Sequence, residues 1–85
     1  MKSVLMMMME GCPHCRRARE MMEELCLAHP EYRAVEVKMV DETREPDFAA
    51  TLDYYYVPTF FVDGKKLHEG VPTREAIEAV YKAAL

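Results

Sequence analysis

Lys2-Ser3-Val4-Leu5-Met6-Met7-Met8-Met9-Glu10-Gly11-Cys12-Pro13-His14-Cys15 runs an apolar strand directly into a cysteine pair. Lys2 to Met9 is apolar on both faces, the pattern of a central strand covered on both sides. Pro13 falls where a helix should begin, at a position whose N–H would have no intrahelical partner. Behind it, Cys15, Ala18, Met22, Leu25 and Cys26 recur at three- and four-residue spacing, one apolar face of a helix that His29-Pro30 stops. Cys12 therefore sits at the helix start, where free backbone N–H groups and the helix dipole favour an anion. A thiol there loses its proton more readily, and the thiolate is the nucleophile. Cys15 follows one turn later on the same side, within the roughly 5.5–6 Å Cα separation that a disulfide prefers. The pair is built to cycle, with Cys12 attacking a substrate disulfide and Cys15 resolving the mixed disulfide.

Outward from this unit the chain alternates strand and helix signals. Arg33 to Asp41 sets Val35, Val37 and Met39 against Glu36 and Lys38, a strand nearer the edge. Glu45-Pro46-Asp47 opens a short helix ending near Leu52. Thr59 to Val62 and Lys65 to Glu69 flank Asp63-Gly64, a strong hairpin signal. Thr73 caps a last helix with Ile77, Val80, Tyr81 and Ala84 facing inward. The expectation is a single α/β domain over residues 1–85, ordered β-α-β-α-β-β-α, with a four-stranded mixed sheet and helices on both faces.

The motif from Cys12 to Cys15, with Val57-Pro58-Thr59 leading into the hairpin, resembles the thioredoxin and glutaredoxin superfamily over nearly the whole chain. That resemblance implies a thioredoxin-like fold, thiol–disulfide oxidoreductase activity on protein disulfides, and an upstream reductase as second partner. It further implies that Pro58 is cis and faces the cysteine pair, leaving the Val57 backbone to pair with an extended substrate. Read without the resemblance, Pro58 simply begins a strand. Gly70 matches a family glycine beside the active site, and on its own terms is a turn residue. Tyr56, after Tyr54 and Tyr55, either borders a substrate groove or joins the core. Pro13 and His14 are the motif residues expected to tune Cys12. A protonated His14 would favour the thiolate and make the pair more oxidising than about −270 mV, whereas a solvated His14 would not.

Departures from the family pattern narrow the reading. Glutaredoxins that bind glutathione carry a lysine shortly before the first cysteine, where this chain has Met8, Met9, Glu10 and Gly11. Their Gly-Gly-acid signature is replaced by Gly70-Val71-Pro72-Thr73, so glutathione is not expected as a dedicated cosubstrate, and no other cofactor is called for. Thioredoxins place a buried aspartate six residues before the first cysteine, and Met6 occupies that position here. Glu10, the carboxylate closest in sequence to Cys12, is expected to oppose thiolate formation.

Composition excludes several rivals. Eighty-five residues hold one small core. A net charge of −4 disfavours a phosphate backbone as partner. Three cysteines cannot close a disulfide framework. Cys26, about 16 Å along the helix from Cys15, is out of disulfide reach and reads as a core thiol. Zinc on Cys12, Cys15 and His14 or His29 is a poor alternative, because structural zinc wants four well-placed ligands. A non-catalytic redox-sensing or interaction module would use the same residues. The apolar run from Val4 to Met9 is shorter than the 7–15 or so residues of a signal core, and no run nears the ~20 that span a bilayer. A cytoplasmic monomer is the expectation.

Overall fold

The computed structural model describes residues 1–85. Its strands are β1 (Val4–Met8), β2 (Val37–Asp41), β3 (Thr59–Val62) and β4 (Lys65–Glu69); its α-helices are α1 (Pro13–Ala28), α2 (Pro46–Ala49) and α3 (Arg74–Ala84). The sheet order is β2-β1-β3-β4. β1 pairs parallel with β2 and antiparallel with β3, with Val4 opposite Val37 and Val62. The apolar run of β1 is thus central and the more polar β2 lies on an edge, as the sequence pattern indicates.

Alternation along β1 divides the core between two faces. Val4 and Met6, with Phe60 and Val62 of β3, pack under Ala18, Met22 and Leu25 of α1 and Ile77 and Val80 of α3. On the other face Met7, Val40 and Phe61 are covered by Ala49 of α2 and by Leu52, Tyr54 and Val57. Helices therefore cover both faces, and the expected element order holds. The β3–β4 hairpin turns at Asp63-Gly64, both with positive φ (48° and 82°), which matches the twist of the paired strands.

Two boundaries and two burial assignments differ from the sequence reading. The second strand starts at Val37, not Arg33, because Pro30–Ala34 forms a turn of 3₁₀ helix. Proline disfavours α geometry at His29 (φ −131°, ψ 86°), yet its own fixed φ starts a new turn. That turn buries Tyr32, which stacks on Tyr81 with ring centroids 5.0 Å apart. Met39 is 44% exposed, while Val40 takes the buried place under Leu52 and Tyr54. α2 ends at Ala49, three residues before Leu52, where the chain folds back to cover Phe61. Cys26 is half-buried at the rim of the core and donates to the Tyr81 hydroxyl at 3.6 Å, so it is less enclosed than expected.

Candidate functional site

The cysteine pair owes its position to a turn at the end of β1. Gly11 adopts φ +83°, a conformation that favours glycine, and the Cys12 N–H donates to the Met9 carbonyl at 3.2 Å. Cys12 then becomes the N-cap of α1 with extended backbone (φ −82°, ψ 119°), and Pro13 fills the first helical position. The Cys15 N–H donates to Cys12 Sγ at 3.4 Å, so the sulfur occupies the place of a capping oxygen. Cys12 is half-buried and reachable from solvent, whereas Cys15 is 0% exposed beneath it.

These positions separate the two thiols chemically. Burial pushes Cys12 up, but hydrogen bonds from the Cys15 amide, the Cys15 thiol and the His14 amide outweigh it, and the thiol lies below its ordinary range. Cys15 is pushed up to about 11, first by burial and then by donating its hydrogen to Cys12. The pair thus sets an accessible thiol that ionises more readily over a buried one that holds its proton.

The structure places the groups around Cys12. His14 acts on Cys12 through its backbone N–H, and its exposed ring is not among the groups that lower the thiol. The Glu10 carboxylate is turned to Arg44 at 3.0 Å. The carboxylate that raises Cys12 is Glu42, brought close by the Glu42 N–H donating to the Met8 carbonyl at 2.9 Å. Glu42 was missed because it is thirty residues away along the chain and reaches the site only through the pairing of β1 with β2. Its carboxylate accepts from the Tyr54 hydroxyl at 2.7 Å.

The Val57–Pro58 peptide is cis, and Pro58 and Thr59 are buried. The Gly70 N–H donates to the Pro58 carbonyl at 2.9 Å, and Thr59 Oγ1 donates to the Tyr56 carbonyl. Val57 makes no hydrogen bond within the chain through either backbone group. A side chain at Gly70 would meet nothing of this chain within 4 Å, so its φ of +94° is what calls for glycine. His14, Glu42, Tyr55, Tyr56, Val57, Gly70 and Val71 line one open cavity of about 500 Å³. The structure therefore brings His14, Tyr56, Val57 and Gly70 together around the cis peptide. The three tyrosines divide their work. Tyr54 packs edge-on to Phe61, while Tyr55 and Tyr56 are 85% and 69% exposed at the cavity.

Glu69 and His68, neither singled out in the sequence, hold this loop. Glu69 accepts from the Tyr55 and Tyr56 amides and, at 2.7 Å, from Lys66 Nζ. His68 Nε2 donates to the Val71 carbonyl at 3.0 Å. The bond from Lys66, then the two amides, holds the Glu69 carboxyl down at about 2 against an ordinary 4.5. A depressed carboxyl stabilises the fold above its unfolded value and loses that contribution as pH falls. Glu69→Gln should accordingly flatten the pH dependence of thermal stability between 4.5 and about 2; an unaltered slope would remove Glu69 from this role.

No three histidine, cysteine or carboxylate side chains gather as metal ligands would. No helix is long and apolar enough to cross a membrane.

Comparison with known proteins supplies the family. The family model described as a thioredoxin domain matches residues 3–82. The chain is 36% identical over 72 residues to a thioredoxin of Methanocaldococcus jannaschii, covering 84% of this chain and 82% of that one. Among solved structures, a malarial protein superposes with a TM-score of 0.72 at 17% identity, covering 99% of this chain and 97% of its own. The oxidised thioredoxin of Plasmodium falciparum gives 0.71 at 19% identity, covering 99% and 82%. The two structures speak for the fold, and the sequence matches go further: this chain belongs to the thioredoxin family of thiol–disulfide redox proteins.

Proposed function

We propose that the protein is a thioredoxin-like oxidoreductase that reduces or exchanges disulfides of protein partners through a Cys12/Cys15 cycle. The carrying observation is the separation of the two thiols, with Cys12 lowered at the helix start and Cys15 buried at about 11. Cys12 thiolate attacks one substrate sulfur, the substrate S–S bond breaks, and a mixed disulfide forms. The departing thiolate takes a proton from water. Cys15 then attacks Cys12 Sγ, its proton passing through water to the second substrate sulfur as that leaves, and the Cys12–Cys15 disulfide closes. Two electrons pass to the substrate, and an upstream reductase returns them to the pair.

The unpartnered N–H and C=O of Val57 suit an extended peptide, which would pair with them as an added strand beside the cis bond. Exposed Tyr55 and Tyr56 offer flat apolar area to the same segment. No cofactor beyond the cysteine pair enters this cycle, and a reducing compartment such as the cytoplasm suits it.

Insulin with dithiothreitol as reductant is the direct test. The native chain should accelerate insulin reduction, and Cys15→Ser should instead stop at a covalent Cys12–insulin adduct visible by mass spectrometry. The absence of both the acceleration and the adduct would defeat the reading.

A further inference from the structure

α1 carries its charges against its own dipole. Arg16, Arg17 and Arg19 crowd the N-terminal half, Glu20, Glu23 and Glu24 follow, and no acid occupies the first turn. Cations near a helix N-terminus are unfavourable, and like charges three residues apart add repulsion. Arg17 relieves its share by pairing with Glu20 at 3.4 Å. Arg16 and Arg19 pair with nothing, although each has a carboxylate four residues along. The nearby acids are occupied: Glu10 is held by Arg44, and Asp41 accepts from Thr43 and from the Glu10 amide. Two free guanidiniums thus stand at a place that helix stability argues against.

They also share a cavity with the nucleophile. Gly11, Cys12, Pro13, Arg16 and Arg19 line a cavity of about 250 Å³, separate from the one beside the cis peptide. Arg19 also borders an adjoining cavity with Met8, Met39, Arg44 and the carboxylates Glu10, Asp41 and Glu45, of which Glu10 and Asp41 are already engaged. In a chain of net charge −4, the cavity against Cys12 is lined by two arginines and no acid, while Glu42 stands in the cavity on the cis-peptide side.

We infer that Arg16 and Arg19 form an anion subsite that selects disulfides bearing a carboxylate on the half that Cys12 captures. This deepens the proposed function and rests on it. A cavity of this size takes one substituent, so the carboxylate sits a few bonds from the attacked sulfur. A low-molecular-weight disulfide and a glutamate flanking a protein disulfide share that chemistry. The step is the one already given: the substrate S–S bond breaks, Cys12 bonds to the carboxylate-bearing half, and the other half leaves as thiolate and is protonated by water. The guanidiniums fork onto the carboxylate without entering the exchange of electrons.

The test is single-turnover oxidation of the reduced chain by three disulfides: anionic dithiodipropionate, neutral hydroxyethyl disulfide and cationic cystamine. The neutral compound is the reference, since any change in Cys12 basicity affects all three alike. In Arg16→Gln/Arg19→Gln the anionic-to-neutral rate ratio should fall about tenfold at low ionic strength, the scale of charge steering. The cationic-to-neutral ratio should rise. Salt should erode the native preference within the range where screening lengths shrink to about 10 Å. Cysteine peptides joined by a disulfide and flanked by glutamate or lysine extend the series. Discrimination there too assigns the subsite to acidic protein segments as well, and discrimination by the small probes alone assigns it to low-molecular-weight substrates. Ratios identical in native and variant chains overturn the inference while leaving the proposed function standing. Failure of the native chain to react with the neutral disulfide overturns both.

Discussion

Iodoacetamide at pH 7 is expected to alkylate Cys12 more than a hundredfold faster than Cys15. Cys12 lies below 9.0 and Cys15 at about 11, and each unit of separation is tenfold in thiolate fraction. Complete burial of Cys15 widens the gap by excluding the reagent. The Cys12 rate should rise with pH through a midpoint below the ordinary thiol value, then level. Glu42→Gln should move that midpoint lower still, because the Glu42 charge opposes the thiolate. Cys12→Ser should abolish disulfide turnover altogether, since Cys15 is protonated and covered. Equal alkylation of the two thiols, or an ordinary midpoint at Cys12, would remove the physical basis of the cycle. So would an upward shift in Glu42→Gln for the part assigned to that carboxylate.

Phe60→Ala is expected to cost about 3–5 kcal/mol, read as a fall in the midpoint of chemical denaturation. Phe60 is 1% exposed and lies at the centre of the main core, between β1 and the two long helices. Removing the ring leaves a cavity that neighbours fixed by the sheet register cannot fill. A chain of this length has a total stability of roughly 4–13 kcal/mol, so the loss is a large fraction of the whole. A cost below about 1 kcal/mol would mean that α1 and α3 collapse onto the gap, and that the core is softer than its packing implies. The same variant should retain the low Cys12 midpoint while it remains folded, because the amides at the helix start do not touch this ring.

The fold was legible from the chain because its signals are local and agree with one another. Met6 and Met7 point to opposite faces of one strand. Pro13 opens the long helix, Asp63-Gly64 closes the hairpin and Thr73 caps the last helix, its hydroxyl accepting from the Ala76 amide at 3.1 Å. The misplaced boundaries lie where a local rule met a distant demand. Tyr32 is drawn into the core by Tyr81, which turns Pro30–Ala34 into a 3₁₀ segment, and Leu52 leaves its helix to cover Phe61. The placing of Cys12 and Cys15 at a helix start could likewise be read from residue type and spacing, whereas the cis form of the Val57–Pro58 bond was expected from the resemblance alone.

What the linear chain settled about this protein is its element order and the place of its cysteine pair at the start of the first helix, because periodicity, capping and proline geometry act over a few residues. Which charges surround that sulfur was decided only by the tertiary structure. Glu10 is diverted to Arg44, Glu42 arrives through the β1–β2 pairing, Glu69 holds the loop before the cis peptide, and Arg16 and Arg19 remain free. The physical reason is the reach of the Coulomb interaction. It depends on distance through space, and only the folded sheet brings Glu42, thirty positions along the chain, near enough to act on the Cys12 thiol.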